Sequence, residues 1–237
     1  MESVSERIPE SSEEYHPLVT SCCRATGCEE IFKPATARRN LRRYLKKGLG
    51  AIERSMVAAV AARDLEGARV LEIGGGVGAV QAELLAKGAS TGEIVELVRA
   101  YEPYARELAT ARGFQNRSVF RVADLLDDPK AVVPADVVVL NRVVCCSPDG
   151  IRLAGIGARL AERMLMLSFP RDRRLTRLFV KTINGTMQLL GRSFRTYLHP
   201  RASLVDAAQD AGLVLAQTGQ NFVWEFATFQ RSTTSSP

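Results

Sequence analysis

Long apolar runs are missing from this sequence. No stretch approaches the roughly 18 consecutive apolar residues that a membrane span needs, so a spanning helix is not expected. Residues 1–17, MESVSERIPESSEEYHP, are polar and acidic and lack the apolar centre of a signal peptide, which makes a cytoplasmic location the expectation. A dense basic tract is missing too. The net charge of +6 is modest for 237 residues and scattered, so a dedicated nucleic-acid binder is not expected, whereas an anionic small molecule fits. Histidine is scarce: His16 and His199 are the two imidazoles available for proton transfer. The cysteines are few and oddly placed. Five of them include the adjacent pairs Cys22–Cys23 and Cys145–Cys146, with Cys28 alone. An odd count without a secretion signal favours reduced thiols, and no Cys-x2-Cys pair supports a zinc site, so no metal is assigned.

What is present is a core. At 46% hydrophobic residues the chain can bury one substantial interior, and one elaborated domain is the prior. Residues 1–35 read as a leader that packs over the site, where Tyr15 and His16 can fold inward, and 232–237 as a loose tail. Over 36–66, the helical lead-in, Leu41, Leu45, Leu49, Ile52, Met56, Val57 and Val60 recur at helical spacing, with a break at Gly48 and Gly50. From residue 67 to 170 strands and helices alternate. Strands are predicted at 69–74, 92–98, 118–124, 135–144 and 165–170, and helices at 79–88, 100–113 and 151–164. VVVL (137–140) is wholly apolar and reads as a central strand buried on both faces. A helix at 201–212 then leads into two closely joined strands, 213–219 and 221–231. The expected fold is therefore α/β, a doubly wound, mostly parallel seven-stranded sheet of Rossmann-like type that ends in a last helix and an antiparallel hairpin over 200–231.

Within that frame VLEIGGGVG (70–78) follows the first strand with four glycines, Gly74, Gly75, Gly76 and Gly78. Glycine costs conformational entropy unless something needs the bare backbone. A strand, a glycine turn and a helix present backbone N–H groups and a positive helix end at the carboxyl edge of the sheet. The run contains Gly74-x-Gly76-x-x-Ala79, which the dinucleotide fingerprint permits, and Glu72 two residues before it, for which a dinucleotide site has no general use. An acid followed by Gly-x-Gly-x-Gly resembles the first motif of class I S-adenosylmethionine-dependent methyltransferases. That resemblance implies a cofactor-binding set: Glu72 and the four glycines at the loop, Glu96 with Leu97 for the ribose hydroxyls, Asp124 for the adenine amino group, Leu125 flanking the ring, and Asn141 beside the reacting methyl.

A narrower resemblance covers most of the chain loosely. TGCEEIF, KKGLGAIERSMVAAV, MLMLSFPRDRRLTRLF, RSFRTYLHPRASLVDAAQDAGL and FVWEFATFQR are similar to segments of the magnesium-protoporphyrin IX methyltransferases. In VVCCSPD, however, Cys146 stands where that family carries a histidine thought to be catalytic and Ser147 where it carries tyrosine, so the porphyrin acceptor does not carry over. The expected activity is methyl transfer from S-adenosylmethionine to a small-molecule acceptor, through O-methylation of a carboxylate or hydroxyl on an apolar or polycyclic metabolite. His199, in YLHP, and Cys146 are the candidate catalytic groups. The segment 171–199 reads as an insertion that caps the acceptor pocket, and over 173–190 its apolar stripe beside basic residues also suits contact with a membrane surface. Two other readings are open. One is an NAD-dependent oxidoreductase, though no Tyr-x-x-x-Lys is present for hydride chemistry. The other is a catalytically inactive cofactor-binding regulator of a partner protein.

Overall fold

A computed structural model describes residues 27–232. The leader residues 1–26, with Tyr15, His16, Cys22 and Cys23, and the tail 233–237 lie outside the described residues. The strands are β1 (Arg69–Ile73), β2 (Thr91–Glu96), β3 (Ser118–Val122), β4 (Ala135–Asn141), β5 (Ala161–Pro170), β6 (Leu213–Gln220) and β7 (Trp224–Arg231). Numbered from Pro34 onward, the helices are α1 (Pro34–Lys47), α2 (Ala51–Ala61), α3 (Ala79–Ala86), α4 (Glu102–Ala111), α5 (Gly150–Leu160), α6 (Arg174–Leu189) and α7 (Arg201–Gln209). A single helical turn, Cys28–Ile31, precedes them.

The seven strands form one sheet in the order β3-β2-β1-β4-β5-β7-β6. The first five run parallel, and β7 inserts antiparallel between β5 and β6. As the VVVL run predicted, β4 is central, and Val137 to Leu140 are fully buried. Its side chains alternate between two cores. Val137 and Val139 join Leu41, Met56, Leu84 and Leu108, from α1 to α4, on one face. Val138 and Leu140 join Leu153, Ile156 and Leu204, from α5 and α7, on the other. A strand buried on both faces has no polar alternation, which is why it reads as continuous apolar sequence.

One boundary moves. AERM (161–164), read as the end of a helix, opens β5 instead. Its local propensity is helical, but the segment lies beside β4 and its ladder to β7 starts at Met164↔Gln230. Tertiary pairing outweighs a propensity of a few tenths of a kcal/mol per residue. The break between α1 and α2 falls at Gly48 as predicted, where φ is +67° and the amide donates to Tyr44 O at 2.7 Å. In the described part of the leader Cys28 is buried, and Phe32 meets Phe194 edge-on with ring centroids 5.8 Å apart.

The turn from β1 into α3 depends on Gly78, the residue capping α3, at φ +76° over the buried Ile94. Any side chain there takes on left-handed strain and presses on Ile94. Gly78→Ala is expected to cost about 2–4 kcal/mol, lowering Tm by roughly 10 °C, and urea unfolding with an unchanged m-value checks it.

Candidate functional site

The carboxyl ends of β1 to β4 border one cavity of about 410 Å³, within the range of small-molecule sites. Most of the predicted cofactor residues line it. The glycine loop contributes Gly74, Gly75 and Gly76, and the strand ends contribute Glu72, Glu96 with Leu97, Asp124 with Leu125, and Asn141. Gly78 does not line this cavity. It is the left-handed cap described above. Gly74 sits at φ +66° with Val143 so close that a Cβ would lie 2.3 Å from Val143 Cγ2. The bare backbone is therefore needed where the loop passes the end of β4.

Two acids hold that loop in place. Gly76 N–H donates to Glu96 Oε2 at 2.9 Å, and Leu97 and Val98 N–H donate to Glu96 Oε1 at 2.9 and 3.2 Å. Gln81 N–H, in the first turn of α3, donates to Glu72 Oε2 at 2.9 Å. Burial pushes the Glu72 carboxyl up to about 8, reinforced by the nearby charge of Glu96 and opposed by the Gln81 amide. Burial also raises Glu96 above the usual carboxylate range, against the pull of its three N–H donors. A carboxylate has about four lone-pair sites, and the three donors take both on Oε1 and one on Oε2, so Glu96 keeps one acceptor site on Oε2 for a ligand. Asp124 is buried and takes the Leu126 N–H on Oδ1 at 2.9 Å, forming the cap of a turn as well as a cavity wall. Asn141 Oδ1 accepts from Ser168 Oγ at 2.7 Å, which orients its amide at the end of β4.

The two candidate catalytic groups fare differently. His199 does not line the cavity. Its Nε2 lies 3.0 Å from both Val144 O and Ser147 O. Two carbonyl oxygens can only accept, so Nε2 carries a proton and is committed to donating it. With Tyr197 N–H donating to Cys145 O at 2.8 Å, YLHP acts as a clamp on the turn after β4. Cys146 does line the cavity, but a hydrogen bond with Cys145, followed by burial, holds its thiol well above the usual range and hence protonated. It is no base at neutral pH. Cys28 also borders the cavity, and no cluster of metal-ligating groups occurs among the described residues.

Several lining residues carry no sequence signal. Asn40, Arg43 and Tyr44 reach the cavity from α1, Glu53 from α2 and Tyr101 from the turn before α4, and Arg142 follows β4. Only the helical period of α1 and α2 was legible, and it marks the packed face rather than the side chains at the cavity. The segment expected to cap the pocket is α6. Its described residues do not line the cavity, and Leu175, Phe179 and Leu189 are 60–89% exposed.

Glu72 gives a pH-dependent test. A carboxyl raised from 4.5 to about 8 keeps its proton in the fold while the unfolded chain loses it, so stability falls as pH rises between these values and is flat above. Glu72→Gln keeps the acceptor for Gln81 without an ionisable group. Its Tm should match wild type near pH 4.5 and exceed it by roughly 5 °C or more at pH 8 and above, by scanning calorimetry.

No family model matches the chain, and no curated protein matches it. Solved structures do. The magnesium protoporphyrin IX methyltransferase from Synechocystis PCC 6803, solved with bound S-adenosylhomocysteine, is 22% identical, with 87% of this chain and 99% of that chain covered and a TM-score of 0.67. An O-methyltransferase family protein from Burkholderia thailandensis is also 22% identical, over 86% of this chain and 64% of that one, with a TM-score of 0.63. An O-methyltransferase family 2 protein from Planctomyces limnophilus, solved with apigenin, is 16% identical over 84% and 62% of the two chains, with a TM-score of 0.62. The fold of this chain is therefore the Rossmann-like fold of these methyltransferase structures: the parallel sheet, the glycine loop after β1 and the antiparallel end.

Proposed function

We propose that the protein is an S-adenosylmethionine-dependent methyltransferase that methylates a small-molecule acceptor. One observation carries the reading: the acids ending β1, β2 and the stretch after β3 border the same cavity as the bare glycine loop. The structures similar in fold, two of them solved with this cofactor or its product, support it.

When bound, S-adenosylmethionine supplies a sulfonium methyl carbon open to in-line displacement. The chain's residues bind and align. Glu96 has one acceptor site left on Oε2 for a ribose hydroxyl, Asp124 brings a carboxylate toward an adenine amino group, and Leu97 and Leu125 offer apolar walls for the ring. Alignment and exclusion of water do most of the work in such a transfer. Neither expected base is offered to the cavity: His199 does not line it, and Cys146 is held as a thiol. The cavity also presents the guanidinium group of Arg43 from α1. An acceptor whose oxygen is already ionised suits both facts. We therefore place a carboxylate on an apolar metabolite ahead of a hydroxyl, with a methyl ester as the product.

The outer face of α6 supports a peripheral contact with an anionic membrane surface. Leu175, Leu178 and Phe179 are each about 60% exposed beside Arg174, Arg177 and Lys181, and Arg177 is paired with Asp172. An exposed apolar stripe flanked by cations is the composition of an interfacial helix. Wild-type protein should sediment with vesicles containing phosphatidylserine and not with phosphatidylcholine alone, and Leu178→Asp combined with Phe179→Asp should abolish sedimentation.

Calorimetric titration tests the cofactor. S-adenosylmethionine should bind wild type in the micromolar range, Glu96→Ala should weaken it roughly tenfold or more through loss of a charge-assisted hydrogen bond and of the loop's ties to that carboxylate, and NAD should give no heat. Binding of NAD alone would overturn the assignment from the glycine loop upward.

A further inference from the structure

The mechanism leaves an ion pair in the cavity unused. Glu53, on α2, is 6% exposed, and its Oε1 lies 2.7 Å from Arg142 Nη2. Both side chains line the cavity. The pair is incompletely satisfied: among the described residues, Glu53 Oε2 and Arg142 Nε are buried with no hydrogen-bond partner. A buried pair that only braced the fold would be expected to fill its remaining acceptor and donor positions, because desolvated charge is costly when left open.

Two further features keep this arrangement in place. Arg142 is the one non-glycine residue with positive φ, +57°, among the described residues. Its guanidinium stacks 4.6 Å from the centroid of the Trp224 ring. Strain of this kind persists where the surroundings impose it, and it gathers at ligand sites. On the other side, Gly50 leaves open the space before Glu53: a Cβ there would lie 2.5 Å from Oε2. Gly50 itself borders the cavity.

The position of the pair along the sheet says what it faces. Asp124 follows β3, Glu96 ends β2, the glycine loop ends β1, and Arg142 follows β4, its neighbour Val143 packed on Gly74. Adjacent strands are about 4.8 Å apart, so Arg142 lies roughly 14 Å along the edge from the Asp124 side. A nucleoside held at Asp124 and Glu96 extends any 5′ substituent past the glycine loop toward β4. On the proposed reading, that substituent is an amino acid, whose ammonium donates hydrogen bonds and whose carboxylate accepts them.

We infer that Glu53 and Arg142 form the subsite for the amino-acid end of the cofactor, with Glu53 Oε2 accepting from the α-ammonium and Arg142 Nε donating to the α-carboxylate. The zwitterion supplies one donor and one acceptor to a pair that has one acceptor and one donor open. The inference rests on the cofactor assignment above.

The test compares two ligands that share the adenosine thioether. S-adenosylhomocysteine carries the amino acid, and 5′-methylthioadenosine lacks it. Calorimetry with wild type, Glu53→Gln and Arg142→Lys should show S-adenosylhomocysteine weakened at least roughly tenfold in both variants, as expected for a lost charge-assisted contact, with 5′-methylthioadenosine within about twofold of wild type. Equal weakening of the two ligands would overturn the inference and mark the pair as a brace between α2 and β4. Unchanged binding of both would overturn it as well. If wild type binds neither ligand, the cofactor assignment falls and the subsite with it. Thermal unfolding of each variant shows that it is folded, and Arg142→Lys carries the test alone should Glu53→Gln not fold.

Discussion

The site depends on two carboxyl groups that tie the glycine loop to the sheet. Glu96 takes three backbone N–H groups, one of them from Gly76, and Glu72 takes the first-turn amide of Gln81. A loop with so little side-chain packing has only its backbone to hold it, and these donors fix its path past β4. The same acids border the cavity, so the groups that shape the loop are also placed to meet a ligand. Burial raises both carboxyl groups. The site thus keeps acidic groups in an environment that resists their ionisation, and the protein gives up stability at neutral and higher pH to do so.

The opposite side of the cavity is organised differently. The turn after β4 is held by YLHP, through His199 Nε2 and the Tyr197 amide. Most of these contacts end on main-chain carbonyls, and they lock a turn rather than present reactive groups. Cys146 faces the cavity as a small protonated thiol. This half serves positioning rather than proton transfer. α6 stands apart from the cavity, with its apolar side chains turned outward.

Much of this was legible. The strand and helix alternation, the antiparallel end and the buried β4 follow from hydrophobic period, because period reports directly which faces are covered. Glu72, Glu96, Asp124 and Asn141 were singled out by the resemblance to class I methyltransferases, and they share one edge because in a parallel sheet all strand ends lie together. AERM went astray because its neighbours β4 and β7 are remote in sequence.

By itself the sequence determined the fold class and the glycine loop, which depend on local spacing, and a family resemblance pointed to the row of acids that parallel strands bring to one edge. Only the tertiary structure decided which residues the loop faces. It drew Gly78 away from the cavity, committed His199 to two carbonyls, and brought Glu53 and Arg142 together across 89 positions of chain. Long-range contacts of that kind leave no period in the sequence. They arise when separate elements are pressed onto one sheet and buried polar groups must find whatever partners packing puts within reach.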